Sequence, residues 1–268
     1  MIRDITIGQY YKADSVIHRL DPRVKLMGTL IFIISLFMGM NIWIYAVVTV
    51  ALAVVIKMSR IPLKFMVRGL KSIVILIIIS AVFNLFLTPG DVLIQIWKLT
   101  ITYQGLKMAI FMVVRLIYLI VGTSLMTLTT TPNNLTDGLE KGLGFLKVIK
   151  VPVHEIAMMM SIALRFIPIL IEETDKIMKA QMARGADFEN GSLIKRAKAM
   201  VPILVPLFVS AFRRANELAM AMEARCYHGS EGRTKMKPLK YKKQDVIAYL
   251  TVAAYAVVLG VVVKFSVF

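Results

Sequence analysis

Hydrophobic and polar positions fall in long blocks along this chain. A polar opening of 25 residues carries Arg3, Lys12, Arg19, Arg23 and Lys25. From Leu26 to Ile56 there is then no charge at all. These 31 residues would make one helix of about 46 Å, against roughly 30 Å for the hydrocarbon core of a bilayer. Gly39-Met40-Asn41, near the middle, is the natural place for a turn. The next stretch, 57–71, carries Lys57, Arg60, Lys64, Arg68 and Lys71 without an acid. Two basic flanks on the cytoplasmic side require an even number of crossings between them. The pattern therefore predicts two short spans, 22–40 and 42–56, joined by a tight outer turn. Asp21-Pro22 reads as an N-cap followed by proline at the first helical position.

A third span is predicted over 70–88, ending before Thr88-Pro89-Gly90. The loop 89–106 contains only Asp91 and Lys98 as charges, which suits the outer face, and its Ile-Thr-Tyr region reads as a small hairpin. A fourth span, 106–130, returns the chain to the cytoplasm. Arg115 lies inside it. The favoured reading is an interfacial anchor that snorkels to the surface, and the alternative is pairing within the bundle. The block 131–245 then holds 19 basic and 12 acidic residues. Its uncharged runs are short: Ala199 to Phe212 includes Pro202 and Pro206, and Ile156 to Ile171 is interrupted by Arg165 and Pro168. Such lengths favour interfacial helices bent by their prolines over crossings, although a re-entrant pair stays open. Val246 to Val263 is again uncharged and long enough for a fifth span. The expected architecture is an all-α integral membrane protein with about five transmembrane helices. A cytoplasmic helical domain is inserted between spans four and five. The regions are 1–130 (four spans), 131–245 (the insert, with two long helices) and 246–268 (the last span). The N-terminus is expected in the cytoplasm and the C-terminus outside.

Composition agrees. The chain is 58% hydrophobic with a mean hydropathy of +0.73, above the roughly 45–50% apolar content of ordinary soluble domains. The formal charge of +17 would suggest nucleic acid in a soluble protein. Here the cations flank apolar spans, so the positive-inside rule accounts for them and no nucleic-acid partner is expected. The single cysteine, Cys226, excludes an intramolecular disulfide and a cysteine-built metal cluster. His18, His154 and His228 lack metal-ligand spacing and read as surface or interfacial residues. Glu172, Glu173 and Asp175 read as a solvated face paired with Lys176 and Lys179. Neither a GxxxxGK[ST] phosphate loop nor a GxSxG elbow is present.

Two segments of the insert share a layout. Residues 163–185 and 204–226 both begin apolar, become charged and finish in alanine, arginine and a small residue: Ala183-Arg184-Gly185 and Ala224-Arg225-Cys226. An arginine in a last helical turn complements the macrodipole by about 0.3–1 kcal/mol, and Gly185 would serve as an ordinary C′ residue. The doubling favours a binding role. A rigid guanidinium fork between small residues can be pressed into a partner's groove. Eight of the 18 methionines fall between 156 and 224. Ile177, Met178, Gln181 and Met182 form a helical stripe beside the first arginine, and Met220 and Met222 lie beside the second, as adaptable contact surface.

These residues resemble the transmembrane T component of energy-coupling factor (ECF) transporters, the EcfT family. The carrying matches are Asp14-Ser15, His18 through Arg23 with Lys25-Leu26, Leu164 through Pro168, Gln181 through Phe188, and Phe212 through Gly229. The resemblance covers nearly the whole chain. It implies a non-catalytic scaffold of a vitamin or micronutrient importer in the plasma membrane. Its implied partners are two ABC-type ATPase subunits, which bind ATP and Mg, and a membrane-embedded substrate-binding S component. No cofactor is implied on this chain itself. On matching positions, Arg184 and Arg225 enter grooves of the two ATPases, flanked by Ala183, Gly185, Ala224 and Cys226. A stand-alone channel or secondary carrier is the alternative, but it would call for acids or broken helices inside the spans. Cysteine labelling tests the topology. Positions 40, 95 and 265 are expected to react from outside, and 64, 190 and 235 from inside. Labelling of 40 and 64 from the same side would overturn the hairpin of spans one and two.

Overall fold

Several helices begin where the sequence supplies a cap. Ser15 accepts from the His18 amide, Asp21 from the Arg23 amide, Asn41 from the Trp43 amide and Thr102 from the Gly105 amide. Each satisfies an amide that the first helical turn leaves without an intrahelical partner. In this computed structural model 80% of the described residues are helical. All residues are described except 1–9, 72, 97–98, 187, 189–192, 230–235, 237 and 268. Arg3, Asp187 of the Gln181–Phe188 match and labelling positions 190 and 235 therefore lie outside the described residues. The order is α1 (Val16–Arg19), α2 (Pro22–Phe37), α3 (Ile42–Ser59), α4 (Leu63–Lys71), α5 (Val74–Leu87), β1 (Val92–Ile96), β2 (Leu99–Thr102), α6 (Tyr103–Thr129), α7 (Pro132–Gly142), α8 (Val153–Ala183), α9 (Leu193–Glu223) and α10 (Lys243–Val267). A 3-10 segment, Gly144–Ile149, lies between α7 and α8. The chain divides into a membrane unit, Gly8–Gly138 with Leu239–Phe268, and an inserted unit, Leu139–Pro238.

The membrane unit is built on two apolar clusters. Leu36, Ile44, Val48 and Leu259 join α2, α3 and α10. Leu52, Met66, Val121, Leu125 and Leu128 join α3, α4 and α6, with Ile61 from the connection between α3 and α4. Close approach is needed at Gly122, where a Cβ would overlap the Phe32 ring. Polar side chains inside the bundle pair across helices, as lipid surroundings demand. Ser35 Oγ lies 2.8 Å from Tyr255 Oη, and Thr49 Oγ1 lies 2.7 Å from Tyr118 Oη. The turn expected at 39–41 separates α2 from α3. The expected hairpin is β1 and β2, paired antiparallel from Ile96↔Leu99 to Val92↔Thr102.

By length and composition four helices among the described residues suit a membrane crossing: α3, α6, α8 and α10 over Lys243–Phe265. The bent pair α4 and α5 makes a fifth if it is one span. The sequence placed the first crossing in α2, which has 16 residues, about 24 Å of helix. That is shorter than a typical core. It placed α8 along the interface, yet Pro168 leaves α8 a continuous helix of 31 residues. In the same way, α9 runs through Pro202 and Pro206. The apolar first part of α8 qualifies as a span, while its later part carries Glu172, Glu173, Asp175, Lys176 and Lys179.

Arg115 departs from the interfacial anchor favoured by sequence. It is 9% exposed, and its Nε donates to Tyr45 Oη at 3.0 Å. Its guanidinium carbon lies 5.1 Å from the centroid of the Phe37 ring. Phe37 closes α2 and Tyr45 opens α3, so the short first hairpin brings both aromatics to the level of Arg115. Tyr45→Phe keeps the ring stacked 5.0 Å from Phe111 and removes the acceptor. It is expected to cost about 1–3 kcal/mol, read as a lower thermal midpoint of the detergent-solubilised protein. An unchanged midpoint would show that the guanidinium does not depend on this bond.

Candidate functional site

Both long helices of the inserted unit end in the same construction. At the end of α8 the Gly185 amide donates to Met182 O at 2.9 Å and the Ala186 amide to Gln181 O at 3.0 Å. At the end of α9 the Cys226 amide donates to Glu223 O at 2.9 Å and the Tyr227 amide to Met222 O at 3.1 Å. These are the two bonds of a Schellman termination, and each needs a left-handed residue at C′. Gly185 has φ 90° and Cys226 has φ 55°. The whole pattern repeats with one constant offset, Gln181 to Met222 and Ala186 to Tyr227. Arg184 and Arg225 therefore occupy the same station, the last residue before the chain reverses.

Both arginines are exposed, as are Ala183, Gly185, Ala224 and Cys226. Among the described residues neither guanidinium has a hydrogen-bond or ion-pair partner. A Cβ added at Gly185 would meet nothing within 4 Å. The small flanks leave the guanidiniums standing clear of the helix ends. Of the accompanying surface, Met182 is 48% and Met220 61% exposed, while Ile177, Met178, Gln181 and Met222 are half-buried.

Side-chain contacts between described residues join the rods. Arg214 Nη2 lies 2.7 Å from Glu173 Oε2, and Gln181 Nε2 lies 3.5 Å from Pro202 O. Glu173 thus has a partner on the facing helix, where the sequence suggested only Lys176 and Lys179. Residue numbers rise along one helix as they fall along the other, so α8 and α9 pass in opposite senses. Arg184 and Arg225 cap opposite ends of the pair. Each lies eleven residues beyond the Glu173–Arg214 bridge, or roughly 16 Å of helix on either side. Sequence reasoning found the arginines and their flanks but not Tyr227, Ala186, Glu173 or Arg214. The first two act through backbone amides, and the salt bridge joins residues 41 apart.

Two of the three histidines make structural contacts. His18 bridges Ser15 Oγ at 2.7 Å and Tyr11 O at 3.0 Å, and His154 Nδ1 meets Glu140 Oε1 at 2.8 Å. Burial pushes the His18 pKa below the ordinary histidine value. Among the described residues no three histidine, cysteine or acidic side chains come together as a metal site.

Fold and site define a membrane-embedded, mostly helical protein that carries an antiparallel pair of helices with two arginine ends. The family described as Cobalt transport protein, CbiQ, matches residues 13–236. The chain is 57% identical over 252 residues to the Energy-coupling factor transporter transmembrane protein EcfT of Clostridium kluyveri, covering 93% of each chain. It is 46% identical over 260 residues to the EcfT of Bacillus subtilis, covering 97% of this chain and 98% of that one. The chain belongs to this family, the transmembrane components of energy-coupling factor transporters.

Cys226 holds a left-handed conformation that costs an L-residue about 1–2 kcal/mol. Part of this is offset by the extra backbone entropy that glycine would lose. Cys226→Gly is expected to stabilise the end of α9 by about 0.5–1 kcal/mol, seen as slower hydrogen exchange at the Cys226-position and Tyr227 amides. Cys226→Ala is expected to leave exchange unchanged. Faster exchange in the glycine variant would contradict the strained cap.

Proposed function

We propose that this chain is the non-catalytic scaffold of an ECF-type importer of a vitamin or other micronutrient. It couples ATP hydrolysis by two ABC ATPase subunits to movement of a membrane-embedded substrate-binding S component. The observation that carries the reading is the duplicated cap: two rods of equal length end in one backbone geometry, with an exposed arginine at the same station of each. A subunit that follows two motor domains needs two separated grips, and opposite ends of an antiparallel pair supply them. Buried arginines are frequent hot spots of protein interfaces. A groove lined by carboxylate or backbone oxygens on each ATPase would satisfy a guanidinium that has no partner among the described residues. ATP and Mg belong to the ATPases in this reading. The N-terminus lies in the cytoplasm and the C-terminus outside the plasma membrane.

Arg184→Glu or Arg225→Glu is expected to weaken capture of the ATPases by about 2 kcal/mol, roughly 30-fold, and the double variant to abolish it. Co-purification from mild detergent with the ATPases checks this. Full retention by the double variant would reject the reading.

A further inference from the structure

The five residues Asp21-Pro22-Arg23-Val24-Lys25 hold more of the chain than the start of α2 requires. Asp245 is 1% exposed, and its carboxylate is shared between two backbone amides. Oδ1 accepts from the Asp21 amide at 2.8 Å and Oδ2 from the Lys242 amide at 2.7 Å. The second bond caps α10, whereas the first joins residues 224 positions apart. Arg23 is bound through Nε and Nη2 to Asp21 at 3.0 and 2.9 Å. Its guanidinium carbon stands 3.7 Å from the Tyr241 ring centroid. Lys25 Nζ donates to Thr129 O at 2.9 Å, at the cytoplasmic end of α6. A Cβ at Gly138 would come 2.7 Å from Pro22 Cβ, so α7 rests directly on the proline. Burial works against the ionisation of Asp21, but hydrogen bonds from Arg23 outweigh it and keep its pKa below the usual carboxylate range.

Gly138 and Leu239 are the residues at which the chain leaves the membrane unit and re-enters it. The exit is held by Lys25 on Thr129 and by Pro22 on Gly138. The re-entry is held by Asp21 and Arg23 on Tyr241 and on the cap formed by Asp245. Capping α2 needs only the Asp21 side chain on the Arg23 amide, so the remaining bonds serve another purpose. We propose that Asp21, Arg23 and Asp245 are positioning residues that fasten both connections of the insert to one node. Displacement of the insert then reaches α2 and α10 together. The inference rests on the scaffold reading and gives it a route from the ATPases into the spans. A charged hydrogen bond and a cation–π stack suit this role because both resist sliding.

The test uses the full chain in lipid nanodiscs, alone and assembled with the ATPases. The variants are Asp245→Asn, Arg23→Gln, Tyr241→Leu and Tyr241→Phe. The asparagine amide cannot accept from both backbone amides, and exchange at Asp21 and Lys242 is expected to quicken at least roughly tenfold. Amides around Leu259 are expected to stay protected. In the assembled complex, spin labels carried by unnatural residues at Val50 and Val209 report the change produced by ATP with vanadate. That change is expected to shrink to less than half in Asp245→Asn, Arg23→Gln and Tyr241→Leu, while ATP hydrolysis continues. Tyr241→Phe, which keeps the stack, is expected to match the parent. A full vanadate response in the first three variants would overturn the node. So would loss of protection throughout α10 in every variant, which would make these residues mere supports of the fold. Failure of the parent chain to capture the ATPases would instead count against the scaffold reading.

Discussion

A right-handed helix has no partner for its last carbonyls, and this protein answers that constraint twice in the same way. The chain swings into the left-handed region one residue after an arginine, and two amides fold back onto the orphaned oxygens. The reversal leaves that arginine as the outermost side chain of its rod. Glycine makes the turn without steric cost at one end, and a cysteine bears the strain at the other. The small flanks, the exposed guanidiniums and the opposite placement of the two ends all depend on this termination. Without it the arginines would be two charges on fraying helices.

The membrane unit obeys a different constraint, since each polar group in lipid needs an internal partner. Serine, threonine and tyrosine hydroxyls pair across helices, and Arg115 lies between a tyrosine hydroxyl and a phenylalanine face. At one edge of the spans the same economy places one buried carboxylate between the beginnings of α2 and α10.

Much of this was legible in the sequence, and the remainder has physical reasons for being hidden. Gly39-Met40-Asn41 announced the first turn because glycine and asparagine there interrupt a run too long for one crossing, and Asn41 does cap α3. Asp21-Pro22 announced α2 through local capping chemistry. The arginine tips were visible because the same tripeptide layout occurs twice. The two long helices of the insert were legible, but that α8 is apolar and long enough for a crossing was not, because Arg165 and Pro168 interrupt its uncharged run. Proline removes only one amide donor, and the apolar residues around it keep the helix going. The burial of Arg115 depends on Phe37 and Tyr45, which reach it only through the packing of the first hairpin. Nothing in the sequence singles out Asp245, because its second partner is supplied by the far end of the chain.

The central claim is that two guanidiniums, presented by one backbone device, grip two motor subunits. Photo-reactive residues at positions 183 and 224 leave both arginines in place and report what lies against each tip in the intact membrane complex. The account predicts that both positions cross-link to ATPase subunits and that either adduct is found without the other being blocked. Adducts to lipid alone, or to this chain alone, from both positions would contradict it.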